Sequence, residues 1–282
     1  MTDYRAGLDE GAQMRYNLNR RSIITVRRAG QMKEFYIDSD GVKLHAKLDS
    51  PRSVSKGPLC ILIHGFTGNM EEQHLIAAQR AMNDAGIFVL RAEMYGHGKS
   101  GGEFKDHTLF KWVNNALSVV RYAKSLDFVT QLYLCGHSQG GLLTMLIGGM
   151  CADDFKAILP LSPAWMIPDI TRHGVVLGQS FDAQHIPEKI YFGERELSGD
   201  YIRTAQMIHV EDAIERFKGR VLIVHGDEDE TVPFSYAQKA AELYADAKLV
   251  TVRGADHCFC GHTAELAAAV KAFFEDEQNR QV

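Results

Sequence analysis

The pentapeptide Gly136-His137-Ser138-Gln139-Gly140 sets a serine between two glycines, after the apolar run Leu132-Tyr133-Leu134-Cys135 and before the helix-like Gly141-Leu142-Leu143-Thr144-Met145-Leu146. A serine on a sharp strand-to-helix turn exposes its Oγ and can attack an electrophile. The glycines leave room where a Cβ would collide with the neighbouring strand and helix. The same turn puts the backbone N–H of Gln139 at the positive end of the following helix, where developing negative charge is stabilised. The bland reading is a tight connection with a solvated serine, and the flanking strand and helix patterns weigh against it.

A serine nucleophile needs a base, and the base needs a group to orient it. Both follow in the chain order Ser, Asp, His. The strand-like Arg220-Val221-Leu222-Ile223-Val224-His225 runs into an acidic loop, Gly226-Asp227-Glu228-Asp229-Glu230-Thr231-Val232-Pro233. Asp229 is the preferred acid, with Asp227 and Glu228 as rivals on the same loop. His257 is the preferred base, in Gly254-Ala255-Asp256-His257-Cys258-Phe259 after the strand-like stretch 248–253. His262 competes with it, and Cys258 and Cys260 between the two histidines raise a metal reading. That spacing lacks the paired ligands of a structural zinc site and no second cysteine pair lies elsewhere, so no metal is expected.

Strand-like Leu59-Cys60-Ile61-Leu62-Ile63 ends in His64-Gly65-Phe66-Thr67-Gly68. Its glycines free the backbone so that the N–H of Phe66 can face a developing oxyanion beside that of Gln139. His64, directly after a buried strand, reads as a structural residue bonded to backbone. Gly96-His97-Gly98-Lys99-Ser100 resembles a second active site, but its serine lacks the glycine bracket; it reads as a supporting loop with His97 and Ser100 in structural hydrogen bonds.

These residues need a scaffold. Two alternating stretches around Asp40-Gly41 read as a β-hairpin. Strand-like 58–63, 87–92, 131–135 and 157–161 alternate with helix-like 71–85, 108–126 and 141–151, and the rhythm resumes with 220–225, 234–245, 248–253 and 263–275. Such alternation predicts an α/β fold, a mainly parallel sheet covered by helices on both faces. Residues 163 to about 210 break the rhythm and carry Trp165, Phe181, Tyr191, Phe192 and Tyr201. An insertion there falls above the carboxyl ends of the strands and reads as an aromatic-lined lid, or else as a segment with a small core of its own.

With 282 residues and 45% hydrophobic content the chain can bury one large core, so the expected organisation is an N-terminal extension over residues 1–30 and one domain over 31–282. A formal charge of −5 without a basic stripe argues against nucleic acid as a partner. The chain has no apolar run long enough to span a membrane and no secretory signal pattern at its N-terminus. With five cysteines, mainly in strand-like segments or beside the site, this predicts a cytoplasmic protein with reduced thiols.

Together these segments resemble an α/β-hydrolase from about Lys33 to about Phe274, and within that superfamily the chain is similar to the bacterial feruloyl (cinnamoyl) esterases. The stretches that carry the resemblance are 64–68, 95–100, 136–141, 225–233 and 254–259, of which Ala255-Asp256-His257-Cys258-Phe259 and the insert are closer to that family than to small hydrolases at large. The resemblance implies a triad of Ser138, Asp229 and His257, favouring Asp229 over Asp227 from the G-x-x-D-x-x-V spacing. It also implies that Asp169 and Tyr201 meet the phenolic hydroxyl of the substrate, with Trp165 in the lining. The expected activity is hydrolysis of hydroxycinnamate esters, small aromatic molecules, through an acyl-enzyme and without a cofactor. A general acyl esterase or monoacylglycerol lipase is the alternative enzyme, and a non-catalytic ligand receptor is the alternative of another class. Residues 1–30 depart from the family pattern, and contact within a homodimer is one role open to them.

Overall fold

A computed structural model describes residues 30–52 and 54–280. The N-terminal extension lies outside the described residues, save for Gly30.

β1 (Met32–Ser39) and β2 (Val42–Asp49) pair antiparallel up to Ser39 opposite Val42, which leaves Asp40 and Gly41 as a two-residue turn. Both have positive φ, 47° and 80°, the backbone shape that matches the twist of paired strands and that Asp-Gly accepts. Then come β3 (Gly57–Ile63), α1 (Gln73–Asp84), β4 (Phe88–Ala92), α2 (Leu109–Lys124), β5 (Val129–His137), α3 (Gln139–Met150) and β6 (Phe155–Leu161). Between β6 and the next long strand lie α4 (Ile167–Arg172), a hairpin of β7 (Val175–Val176) and β8 (Gln179–Ser180), a second of β9 (Lys189–Phe192) and β10 (Arg195–Ser198), α5 (Asp200–Gln206) and α6 (Val210–Arg216). The chain closes with β11 (Arg220–Gly226), α7 (Phe234–Leu243), β12 (Ala247–Val252) and α8 (Thr263–Asn279).

Eight strands form one sheet in the order β1-β2-β4-β3-β5-β6-β11-β12. Every neighbouring pair from β4 to β12 is parallel, and the β1–β2 hairpin adds an antiparallel edge. This is the α/β-hydrolase architecture. Side chains alternate between faces along a strand, so a strand covered on both sides must be apolar throughout. β3 meets that demand: Leu59, Ile61 and Ile63 pack with Trp112 and Val119 of α2 and Leu142 of α3, while Cys60 and Leu62 pack with Leu75 and Met82 of α1 and Phe274 of α8.

α3 is buried along nearly its whole length, and its composition fits: all but its last residue are buried, most of them apolar or glycine. At Gly149 a Cβ would come within 2.3 Å of the Ala213 carbonyl, so this position lets α6 pack backbone against backbone. α2 starts cleanly because the Thr108 hydroxyl accepts a hydrogen bond from the Lys111 N–H at 3.1 Å. α8 runs to Asn279, past the expected end at 275, and its last turn is tied down by ion pairs from Arg220 of β11 to Asp276 and to the buried Glu277.

Candidate active site

The parallel strands β5, β11 and β12 deliver Ser138, Asp229 and His257 at their carboxyl ends. Ser138 lies between β5 and α3 with φ 57° and ψ −119°, a region that side chains other than glycine rarely occupy. Hydrogen bonds hold it there: its N–H donates to Leu161 O at 2.9 Å, and its carbonyl accepts from Leu142 and Ala164 at 3.0 Å each. A Cβ at Gly136 would sit 2.2 Å from Gly140 O, and one at Gly140 would sit 2.4 Å from Ile63 O, so the bracket of glycines is a requirement of packing.

Ser138 Oγ lies 2.8 Å from His257 Nε2, and His257 Nδ1 lies 2.7 Å from Asp229 Oδ2. With the proton of the neutral ring on Nδ1, the imidazole donates to the carboxylate and accepts from the hydroxyl, the arrangement required for proton transfer from oxygen to nitrogen. Asp229 Oδ1 accepts the N–H groups of Thr231 at 2.9 Å and Val232 at 2.8 Å. Burial would raise this carboxyl, but hydrogen bonds from His225, His257 and the Val232 N–H together hold it well below the usual carboxylate range.

The rival residues lie elsewhere. Asp227 is exposed and its Oδ1 accepts the Gly254 N–H at 2.6 Å, bracing the loop that carries His257. Glu228 is exposed, and His262 stands before α8 with its ring 3.4 Å from Glu265. Among the described residues no group of three or more His, Cys, Asp or Glu side chains is disposed to hold a metal ion.

Gln139 opens α3, so its N–H has no carbonyl one turn earlier within the helix. Phe66 follows β3, and the loop around it is braced by histidines. His64 Nδ1–H donates to Gly65 O at 2.7 Å and its Nε2 accepts the Met94 N–H at 3.0 Å. Burial pushes His64 down to about 3, so it stays neutral in this role. The His97 ring lies between Tyr95 O and Phe66 O, and Ser100 Oγ donates to Glu93 O and accepts the His45 N–H.

The insert meets this centre at Tyr201. Its hydroxyl, in a residue 1% exposed, donates to Gln139 Oε1 at 2.7 Å, and its ring packs edge-on against Phe66 and His107. Trp165 is buried and donates its indole N–H to Tyr236 O at 2.9 Å. Asp169 is exposed in the first turn of α4, 3.6 Å from His173. Trp165 and Asp169 share the wall of a cavity of about 450 Å³ with Arg172, Glu211, Tyr236 and Lys239. The structure thus joins Trp165 with Asp169 and joins Tyr201 with the nucleophile's neighbour; among the described residues no hydrogen bond links Asp169 to Tyr201.

Two histidines in contact with the site escaped the sequence reading. His137 donates Nε2–H to the His257 carbonyl at 2.7 Å, and His225 directs Nε2 at Asp229 Oδ2 at 3.0 Å. Each sits inside a motif whose other members took the attention, and only their burial at the end of a strand could have marked them.

Comparison with known proteins bears on the family and the fold. The family model described as serine aminopeptidase, S33, matches residues 55–196, and one described as TAP-like protein matches residues 201–280. Est1E from Butyrivibrio proteoclasticus with ferulic acid bound is 52% identical, with a TM-score of 0.85 over 86% of this chain and 98% of that one. Human protein ABHD12B is 25% identical over 197 residues, covering 67% of this chain and 51% of its own length. The lysophosphatidylserine lipase ABHD12 of Danio rerio is 24% identical over 197 residues, covering 69% and 49%. The chain spans about half the length of the curated relatives it matches. A family model that spans half of the chain, and half-identity to nearly all of Est1E, place this protein in the α/β-hydrolase family of serine hydrolases, with Est1E among its relatives.

Proposed function

We propose that this protein hydrolyses carboxylic esters of hydroxycinnamic acids, such as feruloyl, caffeoyl and p-coumaroyl esters, through an acyl-enzyme on Ser138. The observation that carries the reading is ferulic acid bound to the 52% identical Est1E, since ferulic acid is the acid such a reaction releases. Ser138 Oγ attacks the ester carbonyl while His257 Nε2 takes its proton, and Asp229 steadies the imidazolium that results. The N–H groups of Phe66 and Gln139 carry the oxyanion; a single such donor is worth about 3 kcal/mol in the transition state. The tetrahedral intermediate collapses, the C–O bond breaks, and His257 gives its proton to the departing alcohol. Water then adds to the acyl-enzyme with His257 again as base, and the carboxylic acid leaves.

In this reading Trp165, Asp169 and Tyr201 recognise the phenolic ring of the acyl group. Tyr201 spends its proton on Gln139, which leaves the lone pairs of its oxygen to accept a phenol O–H. No helix among the described residues is long and apolar enough to cross a membrane, and five free cysteines support a reducing compartment, the cytoplasm.

The similarity to the lysophosphatidylserine lipase of Danio rerio favours a second reading, hydrolysis of aliphatic acyl esters. One panel separates the two: methyl ferulate, methyl caffeate and p-nitrophenyl esters of increasing chain length. The proposal expects the highest kcat/KM on the aryl-propenoyl esters, and a preference for long aliphatic chains overturns it.

A further inference from the structure

The acid arm of the site contains one more side chain than a triad requires. His225, at the end of β11, is fully buried and precedes Asp229 by four residues. Its Nε2 lies 3.0 Å from Asp229 Oδ2 and 3.1 Å from the Val232 carbonyl, and its Nδ1 has no partner among the described residues. We propose that His225 is a positioning residue for the catalytic acid: its Nε2–H and the Nδ1–H of His257 together grip the one oxygen of Asp229 that faces the base.

The tautomer follows from the surroundings. Nε2 faces two acceptor oxygens, so a lone pair there would meet lone pairs on both. A proton on Nδ1 would be buried without an acceptor. His225 therefore donates through Nε2, and the ring of Phe234, perpendicular at 5.7 Å, packs against it in this orientation. Asp229 receives two backbone N–H groups on Oδ1 and the His257 N–H on Oδ2, and His225 Nε2, whose N–H also faces the Val232 carbonyl, adds a shared contact to Oδ2 at 3.0 Å.

Two consequences follow. Rotation of the carboxylate would break bonds at both oxygens, so the direction of Oδ2 toward His257 is fixed. The charge on Oδ2 is also shared, which leaves it a weaker base and weakens its hold on an imidazolium. Without His225, Oδ2 would answer to His257 alone: protonated His257 would be held more strongly, and the ring would be aimed less well. The other groups that face this pair are His137 and His74 beneath His257, Glu72 before α1, and Asp256 and Cys258 on its own loop. All of them persist when His225 is replaced, so a change in pH dependence would come from the altered acid.

The inference rests on the proposed roles of Asp229 and His257. Its test is the pH dependence of kcat and kcat/KM on methyl ferulate for His225→Phe and His225→Gln, alone and in an Asp229→Asn background. We expect His225→Phe to lower kcat about 10- to 100-fold, the scale of losses when a residue that orients a reacting group is removed, with KM little changed. The acidic limb of kcat/KM should move up by roughly half to one pH unit, and His225→Gln, whose amide N–H can reach Oδ2, should recover most of both effects. In the Asp229→Asn background, adding His225→Phe should cost no more than about twofold, because residues that act through one another are not additive. A full loss in that background, or an unmoved acidic limb with no rescue by glutamine, overturns the proposal in favour of simple core packing. Should His225→Phe fail to fold, His225→Gln is set against His225→Asn, whose amide is too short to reach Oδ2, and equal kcat and equal acidic limbs for the two overturn it. Full activity of Asp229→Asn alone would instead sink the assigned acid, whereas a crippled Asp229→Asn with an unaltered His225→Phe sinks this inference only.

Discussion

The strand ends that carry Ser138, Asp229 and His257 and the insert between β6 and β11 are built to different standards. Each of the three residues is fixed by contacts far away in sequence: Ser138 N–H on Leu161 O, Asp229 on His257, and the His257 carbonyl on the ring of His137. In the insert no helix exceeds seven residues and no strand exceeds four. Its ion pairs, such as Lys189–Glu196 and Arg203–Asp200, lie in the solvent-exposed outer layer, and it leaves Tyr191 52% and Met207 70% exposed. Bond-making chemistry tolerates little displacement and so sits where many strands agree on position. Recognition can be carried by the outward-facing residues of the insert, which can change without disturbing the core it shares with the sheet. The contrast implies that damage to the sheet side stops all turnover, while damage to the insert changes which esters are turned over.

The largest test of the contrast is Ser138→Ala. It should lower kcat by about 10⁴-fold or more on every ester while the melting temperature and ferulate binding remain. A pure preparation that keeps more than about a tenth of the activity removes Ser138 from the mechanism. Next is the pair Asp229→Asn and Asp227→Asn. The first should cost about 10³- to 10⁴-fold in kcat, since an amide can stabilise the wrong tautomer of the base. The second leaves an amide oxygen that can still accept the Gly254 N–H and should cost less than about tenfold; the reverse ranking, with both variants folded, would move the acid to Asp227.

A third test uses pH. Burial pushes His64 and His107 down to about 3 and His74 to about 4, and it holds His137 well below the ordinary histidine range. All four lie around the site on the sheet side. In the unfolded chain each titrates near 6.5, so below that pH the unfolded state binds protons that the folded state refuses. Stability is therefore complete above about pH 6.5 and drains away as pH falls toward 4, by about 2 kcal/mol per histidine between pH 7 and 5. Urea midpoints at these two pH values should show it. His107→Asn should flatten the slope, and a slope unaltered in that variant would remove the buried His107 from this account.

The smallest effect should come from the insert itself. Tyr201→Phe and Asp169→Ala should each lower kcat/KM on ferulate and caffeate esters about 2- to 13-fold, the loss of one neutral hydrogen bond, and spare acetate esters. Equal losses on both substrates for Tyr201→Phe would show that its bond to Gln139, and not a contact with substrate, is what matters.

The sequence by itself determined the scaffold, because its information is local. Period-two and helical patterns and the Asp40-Gly41 turn act through near neighbours, and the α/β-hydrolase sheet follows from the alternation of those patterns. Only the tertiary structure decided what the histidines do. His137, His225 and His64 look alike in sequence, each on or beside an apolar strand, yet one holds the His257 carbonyl, one points at Asp229 and one braces the loop of Phe66. Likewise the distance from Tyr201 to Gln139 spans 62 positions, and no local pattern encodes it. A side chain's hydrogen-bond partner depends on which distant backbone it meets when the layers close, and that is settled by packing of the whole sheet.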